Sequence, residues 1–294
     1  IGKLDDDGIY QRHDEFQGEP IDADVIVVDE LSMVDMFVMN YLLKCVYQGT
    51  KLVLVGDIDQ LPSVGPGSVL KDLIESETIQ TVHLDKIFRQ AAKSKIILNA
   101  HRVNKGEPFL GKEDIEQETN QDFFYIKHKT QEEILKEVIS LCTGRLEKFG
   151  NYDFFQNIQI LTPTKKGLLG TKELNKELQA YLNPNLDGRP EKSNSGAIYR
   201  TGDRIMQIKN NYDMTWDREN DDGTTEYGEG IFNGEFGTIT KISEKDKVVE
   251  VKFDDNKVAW YEFSELDQIE HSYAITIHKS QGSEFDVVIM VAPV

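Results

Sequence analysis

The sequence predicts an α/β protein, with a parallel-sheet layer and a small antiparallel β-barrel inserted into it. Three observations predict it. The runs Val25-Ile26-Val27-Val28 and Lys51-Leu52-Val53-Leu54-Val55 are short and apolar, and each is followed by a helical pattern. Between 203 and 268 the rhythm changes to short strands separated by turn residues, with no helical period. After 268 the α/β rhythm resumes.

Taken in order, residues 5–20 are polar and turn-rich and read as a surface loop or a small hairpin. The four β-branched residues at 25–28 have the character of a strand buried on both faces. Val34, Val38, Leu42 and Cys45 then share one face of a helix over about 34–48, and Gly49 suits its C-terminal cap. The strand at 51–55 ends in Gly56-Asp57-Ile58-Asp59-Gln60-Leu61-Pro62, and Gly65 and Gly67 continue the turn into a short helix at 69–76. A strand near 79–84 leads to Ile87-Phe88-Arg89-Gln90, and Ile96, Ile97, Ala100 and Val103 mark the next helix. Strand–helix–strand alternation of this kind means a right-handed parallel layer.

Residues 107–121 are acidic and irregular, as in a linker. A strand at 123–127 and an amphipathic helix at 131–148 follow, the latter on Ile134, Leu135, Val138, Leu141 and Cys142. The strand at 158–161 ends in Thr162-Pro163-Thr164-Lys165-Lys166-Gly167, and a helix at 171–182 carries Leu174, Leu178 and Leu182. The antiparallel region holds strands at 205–208, 237–240, 248–253 and 258–263. Strands at 273–277 and 287–291 close the chain.

A length of 294 residues allows two or three domains and a sizeable core, and no apolar run reaches the ~20 residues of a membrane helix. The start at Ile1 carries no signal-peptide pattern and no Met, as in part of a longer chain. Cys45 and Cys142 lie on apolar helix faces and read as core thiols in a reduced cytoplasm. No Cys/His cluster has zinc spacing. A net charge of −19 argues against a uniformly basic coat for nucleic acid but leaves room for a local basic track. The acid is uneven: residues 213–229 hold seven acids and one arginine.

The chemistry gathers at strand ends. Asp29 and Glu30 close the first strand, where ligands of open α/β sheets bind. Two carboxylates there suggest a metal and a phosphate ester, one serving the cation and one accepting a proton from water. Alone, the pair fits a solvated turn as readily. Gly56, ahead of Asp57, permits close backbone approach, and Gln60 can bind a terminal phosphate or its attacking water, or is a polar loop residue. The run Thr276-Ile277-His278-Lys279-Ser280-Gln281-Gly282-Ser283-Glu284-Phe285 crowds hydroxyls, an imidazole and a lysine around a glycine turn. Arg89 is a candidate phosphate-binding arginine, and taken alone fits a surface salt bridge as well. Lys165 and Lys166, with His101, Arg102 and Lys105 on one helix end, can line a groove for a nucleic-acid backbone or be plain solvated faces.

Those segments carry a resemblance. Residues 25–35 resemble helicase motif II, 55–67 motif III, and 87–91 with 99–106 motif IV and its sequel. Residues 162–171 continue the order and 273–285 resemble motif V. Together they resemble the RecD-like branch of superfamily 1 helicases, of the stand-alone type, over essentially the whole chain. The resemblance implies two RecA-like parallel-sheet domains, the first N-terminally truncated, with an SH3-like barrel inserted in the second. By position it implies a RecA-like domain at 1–110, the first part of a second at 111–202, the barrel at 203–268, and a return segment at 269–294. It implies ATP, Mg²⁺, single-stranded DNA and single-/double-strand junctions as ligands, and 5′-to-3′ translocation.

On the same footing, Asp29 would serve Mg²⁺, Glu30 activate water, Gln60 sense the γ-phosphate and Arg89 stabilise its charge. Gly56, Asp57, Gln281, Gly282 and Glu284 would face the nucleotide. Pro62, His101, Thr162, Lys165, Lys166, Thr276 and His278 would face DNA. Residues 5–20 fall where the family carries a strand-separating hairpin. The departures lie at the two ends: no G-x-x-x-x-G-K-S/T loop occurs, and the chain stops at Val294 before an arginine-bearing motif VI. The isolated chain is therefore expected to hydrolyse ATP negligibly. A non-catalytic DNA- or partner-binding module derived from a helicase, and another phosphate-loop ATPase, are the readings the sequence leaves open.

Overall fold

The computed structural model describes residues 3–4, 10–11, 20–84, 94–109, 122–220 and 222–292. Two units divide the chain, residues 1–126 and 127–294. The first contains a parallel pair, β3 (Val25–Val28) and β4 (Lys51–Leu54), joined by α1 (Met36–Cys45). Ahead of it, β1 (Lys3–Leu4) and β2 (Tyr10–Gln11) pair antiparallel. Most of the hairpin expected at 5–20 lies outside the described residues. Helices α2 (Val69–Glu75) and α3 (Lys95–Asn104) follow the sheet pair. Asp35 starts α1 by accepting a bond from the Val38 amide at 2.8 Å, and Ser94 does the same for α3 through Ile97.

Three expectations for this unit need correction. The strand 25–28 is not buried on both faces: Val25 is 51% and Val27 62% exposed. Among the described residues β3 pairs only with β4, and a two-stranded layer leaves a face open. Residues 79–84 form no strand, because no ladder among the described residues pairs with them, and Leu84 stands 96% exposed. Residues 123–127 are irregular for the same reason.

The second unit is built on a parallel sheet of β5 (Ile158–Thr162), β15 (Ala274–Thr276) and β16 (Val287–Met290), ordered β15-β5-β16. Before it, α4 (Gln131–Ser140) starts at a capping box of Thr130 and Glu133. The helix expected through 148 is interrupted at Thr143 and Gly144, whose backbone leaves helical geometry, and resumes as α5 (Leu146–Gly150). A short turn, α6 (Phe154–Asn157), enters β5. Helix α7 (Thr171–Leu182) buries Leu174 and Leu178 with Ile158, Ile160 and Tyr273 in one core cluster. Cys142 lies in that cluster as a free thiol, and burial pushes its pKa up to about 12.

Within this unit lies the predicted antiparallel region. A hairpin of β6 (Glu191–Asn194) and β7 (Ala197–Arg200) precedes it. Strands β8 (Arg204–Gln207), β9 (Asn211–Glu219), β10 (Thr225–Ile231), β11 (Phe236–Ser243), β12 (Val248–Phe253), β13 (Val258–Glu262) and β14 (Ile269–His271) form one sheet. Their order is β10-β9-β13-β12-β11-β8-β14. Ile205, Ile239, Val249, Val251 and Tyr261 point into a single core, so the sheet curls around them. The acidic stretch 213–229 is the β9–β10 ribbon at the edge of this sheet.

Candidate functional site

In the first unit the parallel register sets Val28 opposite Leu54, so the chain leaves both strands at one edge. Val55 N donates to the Val28 carbonyl at 2.8 Å, and Leu31 N to the Val55 carbonyl at 2.9 Å. These bonds seat Asp29-Glu30 directly beside Val55-Gly56-Asp57. Asp29 is exposed and its Oδ1 accepts the Glu30 amide at 2.9 Å. Glu30 is held at φ 53°, ψ 41°, in the left-handed region. A non-glycine residue there stores roughly 1–2 kcal/mol. The Asp57 carboxylate accepts the Asp59 amide at 2.9 Å, and the Gln60 amide donates to the Asp57 carbonyl at 3.3 Å, so this loop is a tight polar turn. Gln60 and Pro62 are exposed on it.

The loop is anchored back onto the first carboxylate segment. Met36 N donates to the Pro66 carbonyl at 3.0 Å, and a Cβ on Gly65 would lie 1.9 Å from Asp35 Oδ2. Only glycine allows that approach. Of the other residues expected in this unit, Arg89 lies outside the described residues, and His101 is exposed in the last turn of α3. The neighbouring Arg102 is engaged by the Pro108 carbonyl at 2.7 Å and Glu107 at 3.2 Å.

In the second unit Thr162 and Thr276 are register partners at the ends of β5 and β15. Thr162 is fully buried and donates its hydroxyl to the Leu169 carbonyl at 2.7 Å, so it supports the loop from inside rather than facing a ligand. The loop it supports presents Lys165 and Lys166 to solvent, and Gly170 is packed too close to the Lys166 carbonyl for a side chain. Thr276 leads into a 3₁₀ turn, Ile277–Ser280, with His278 exposed. Lys279 lies within Coulombic range of Lys165, and its Nζ is 3.7 Å from Glu270. Burial lowers the Lys279 pKa from the ordinary value; Lys165 adds to the shift and Glu270 opposes it. Gln281 and Gly282 form the next turn. Glu284 lines a cleft of about 300 Å³ with Ser283, Phe285, Arg204, Phe236 and Asp254, against the antiparallel sheet.

Among the described residues no three His, Cys, Asp or Glu side chains cluster as a metal cage. Mg²⁺ asks less of a protein: one or two carboxylates, with waters and phosphates completing the octahedron. The carboxylate oxygens of exposed Asp29 and half-buried Glu30 fit that demand. No helix among the described residues is long and apolar enough to cross a membrane.

Three family models match the chain: an AAA domain over residues 8–126, the ATP-dependent RecD-like DNA helicase SH3 domain over 174–253, and a UvrD-like helicase C-terminal domain over 271–294. The ATP-dependent RecD2 DNA helicase of Deinococcus radiodurans is 33% identical over 274 residues, which cover 93% of this chain and 33% of that protein. The chain is similar to RecD-like helicases over almost its whole length. The RecBCD enzyme subunit RecD of Mycolicibacterium smegmatis is 30% identical, over 92% of the RecD-like chain and 45% of its own length. The chain thus spans a third to under half of these two curated relatives. A crystal structure of Pif1 helicase from Bacteroides in complex with ADP-AlF3 and ssDNA overlays 92% of this chain and 64% of that one, at 18% identity and a TM-score of 0.46.

Two residues of this RecD-like chain gain a role only from the fold. Lys279 was visible inside the motif, but only the fold shows its partial burial beside Lys165. The structure makes Asp35, which the local pattern does not single out, both the cap of α1 and the seat of the Gly65 turn.

Proposed function

We propose that this chain is the central part of an ATP-driven DNA helicase that moves 5′ to 3′ on single-stranded DNA in the cytoplasm. The observation that carries the reading is the seating of Asp29-Glu30 beside the Gly56–Gln60 turn at one strand edge. A carboxylate pair next to a backbone-lined turn suits a Mg²⁺–triphosphate with its attacking water. In this reading Asp29 holds the metal, Glu30 takes the proton from water, Gln60 and Arg89 address the γ-phosphate, and Gly56, Asp57, Gln281, Gly282 and Glu284 approach the nucleotide. Lys165, Lys166, Thr276 and His278, with Pro62 and His101 on the other unit, track the DNA backbone; Thr162 holds their loop. The domains are 1–110 and 111–202 with 269–294 as RecA-like parts, and 203–268 as the barrel. Residues 5–20 act at the single-/double-strand junction.

Glu30→Gln in the full-length gene product tests this. DNA-stimulated ATP turnover is expected to fall roughly 10²–10⁴-fold, as for loss of a general base, while ATP and DNA binding persist. Unchanged turnover would remove Glu30 from the chemistry. The 294 residues on their own contain no G-x-x-x-x-G-K-S/T loop to cradle the β- and γ-phosphates, so they are expected to bind oligothymidylate without appreciable ATP turnover. Steady helicase-like turnover by this chain would overturn that account.

A further inference from the structure

Residues 271–274 carry the chain from the antiparallel sheet into β15, and so to Thr276 and His278. Polar side chains grip this strap. Asp203, fully buried, accepts hydrogen bonds from Gln179 Nε2 at 2.6 Å, Asn183 Nδ2 at 2.7 Å and the Arg200 amide at 2.8 Å. From the strap itself it accepts the Tyr273 hydroxyl at 2.9 Å and His271 Nε2 at 3.0 Å, the latter carrying its proton on Nε2 because the partner is a carboxylate. Asn175 reads the strap as a neighbouring strand would. Its Nδ2 donates to the His271 and Ala274 carbonyls at 3.1 and 3.0 Å, and its Oδ1 accepts the Ala274 amide at 2.8 Å. Gln159 adds donations to the Ser272 and Tyr273 carbonyls at 3.2 and 3.4 Å. The Tyr199 ring stacks on His271 with centroids 4.6 Å apart.

These anchors come from four places: helix α7 and its C-terminal cap, strand β5, strand β7 and the entry to β8. Apolar packing tolerates sliding, whereas a buried carboxylate whose oxygens are engaged by five donors, as those of Asp203 are, has one low-energy arrangement. Loss of a single partner leaves a buried charge short of a donor, which is costly. We propose that Asp203 is a positioning residue: by locking the 271–274 strap between sheet and parallel layer, it sets where Thr276, His278 and Lys279 stand at the strand end. Its consequence for DNA rests on the function proposed above; the joint itself does not.

The test uses the 294-residue chain with Tyr273→Phe, His271→Ala and His271→Gln, the last keeping an N–H within reach of Asp203. Amide hydrogen exchange is followed in 276–282 and, as an internal control, in β11 and β12. Tyr273→Phe and His271→Ala are expected to speed exchange in 276–282, and to weaken oligothymidylate binding, by about tenfold each, the equivalent of one lost buried hydrogen bond. His271→Gln is expected to restore both, with β11 and β12 unchanged throughout. Unchanged exchange in 276–282, or acceleration spread equally through β11 and β12, would overturn the positioning role. Failure of the unmutated chain to bind oligothymidylate would sink the DNA reading instead, and the exchange data would still decide the joint.

Discussion

Glu30 occupies a backbone conformation that glycine adopts freely and glutamate does not. Strain of this kind persists where surrounding structure over-determines it and clusters at working sites. Glu30→Gly should therefore raise stability by about 1 kcal/mol in urea titrations while removing the proposed base. A loss of stability would show that contacts of the carboxylate outweigh the strain. Lys279 makes a second case. Its pKa is lowered by burial and by Lys165, against Glu270, from the ordinary 10.5. The sign follows: the folded state disfavours its charge, so the cost is full below the folded pKa and vanishes as pH rises toward 10.5. Lys279→Gln is expected to unfold at higher urea than the parent near neutral pH. The gap should close at alkaline pH, and oligothymidylate binding should be weaker in the variant.

Among the elements, the two strand-end loops depend on contacts that no local propensity supplies. The Gly56–Gly67 turn is pinned to α1 through Asp35, which also caps that helix. Gly65→Ala would push the Asp35 carboxylate from the Val38 amide, and both the cap and the turn suffer. A destabilisation of about 1–3 kcal/mol is expected in urea unfolding. Much of this level was legible in the sequence. The periods of 25–28, 51–55 and 171–182 gave elements close to the observed ones, because each has an apolar face and a defined stop. Residues 79–84 and 123–127 read the same way and form no strand, since a strand exists only where a neighbour pairs with it.

At the scale of the whole molecule, apolar burial is uneven. Leu31 and Met39 are the buried hydrophobic residues of the first unit among the described residues, whereas the second holds two extended core clusters. Stability follows buried area. Residues 127–294 expressed alone are expected to unfold cooperatively, and the complete chain to show an earlier, separate transition from residues 1–126. Limited proteolysis should cut first within 1–126. One coincident transition by fluorescence and circular dichroism would contradict this.

The sequence by itself determined the order of strand ends, the chemical types placed on them, and the change from parallel layer to antiparallel insert. Those follow from side-chain period and from residue chemistry, which are local. Only the tertiary structure decided which ends meet. It seated Asp29-Glu30 beside Val55-Gly56, turned Thr162 inward, and brought Asn183, Gln179, Tyr273 and His271 onto Asp203. Contacts between residues as far apart as 203 and 273 depend on strand register and helix docking, and no spacing along the chain encodes them.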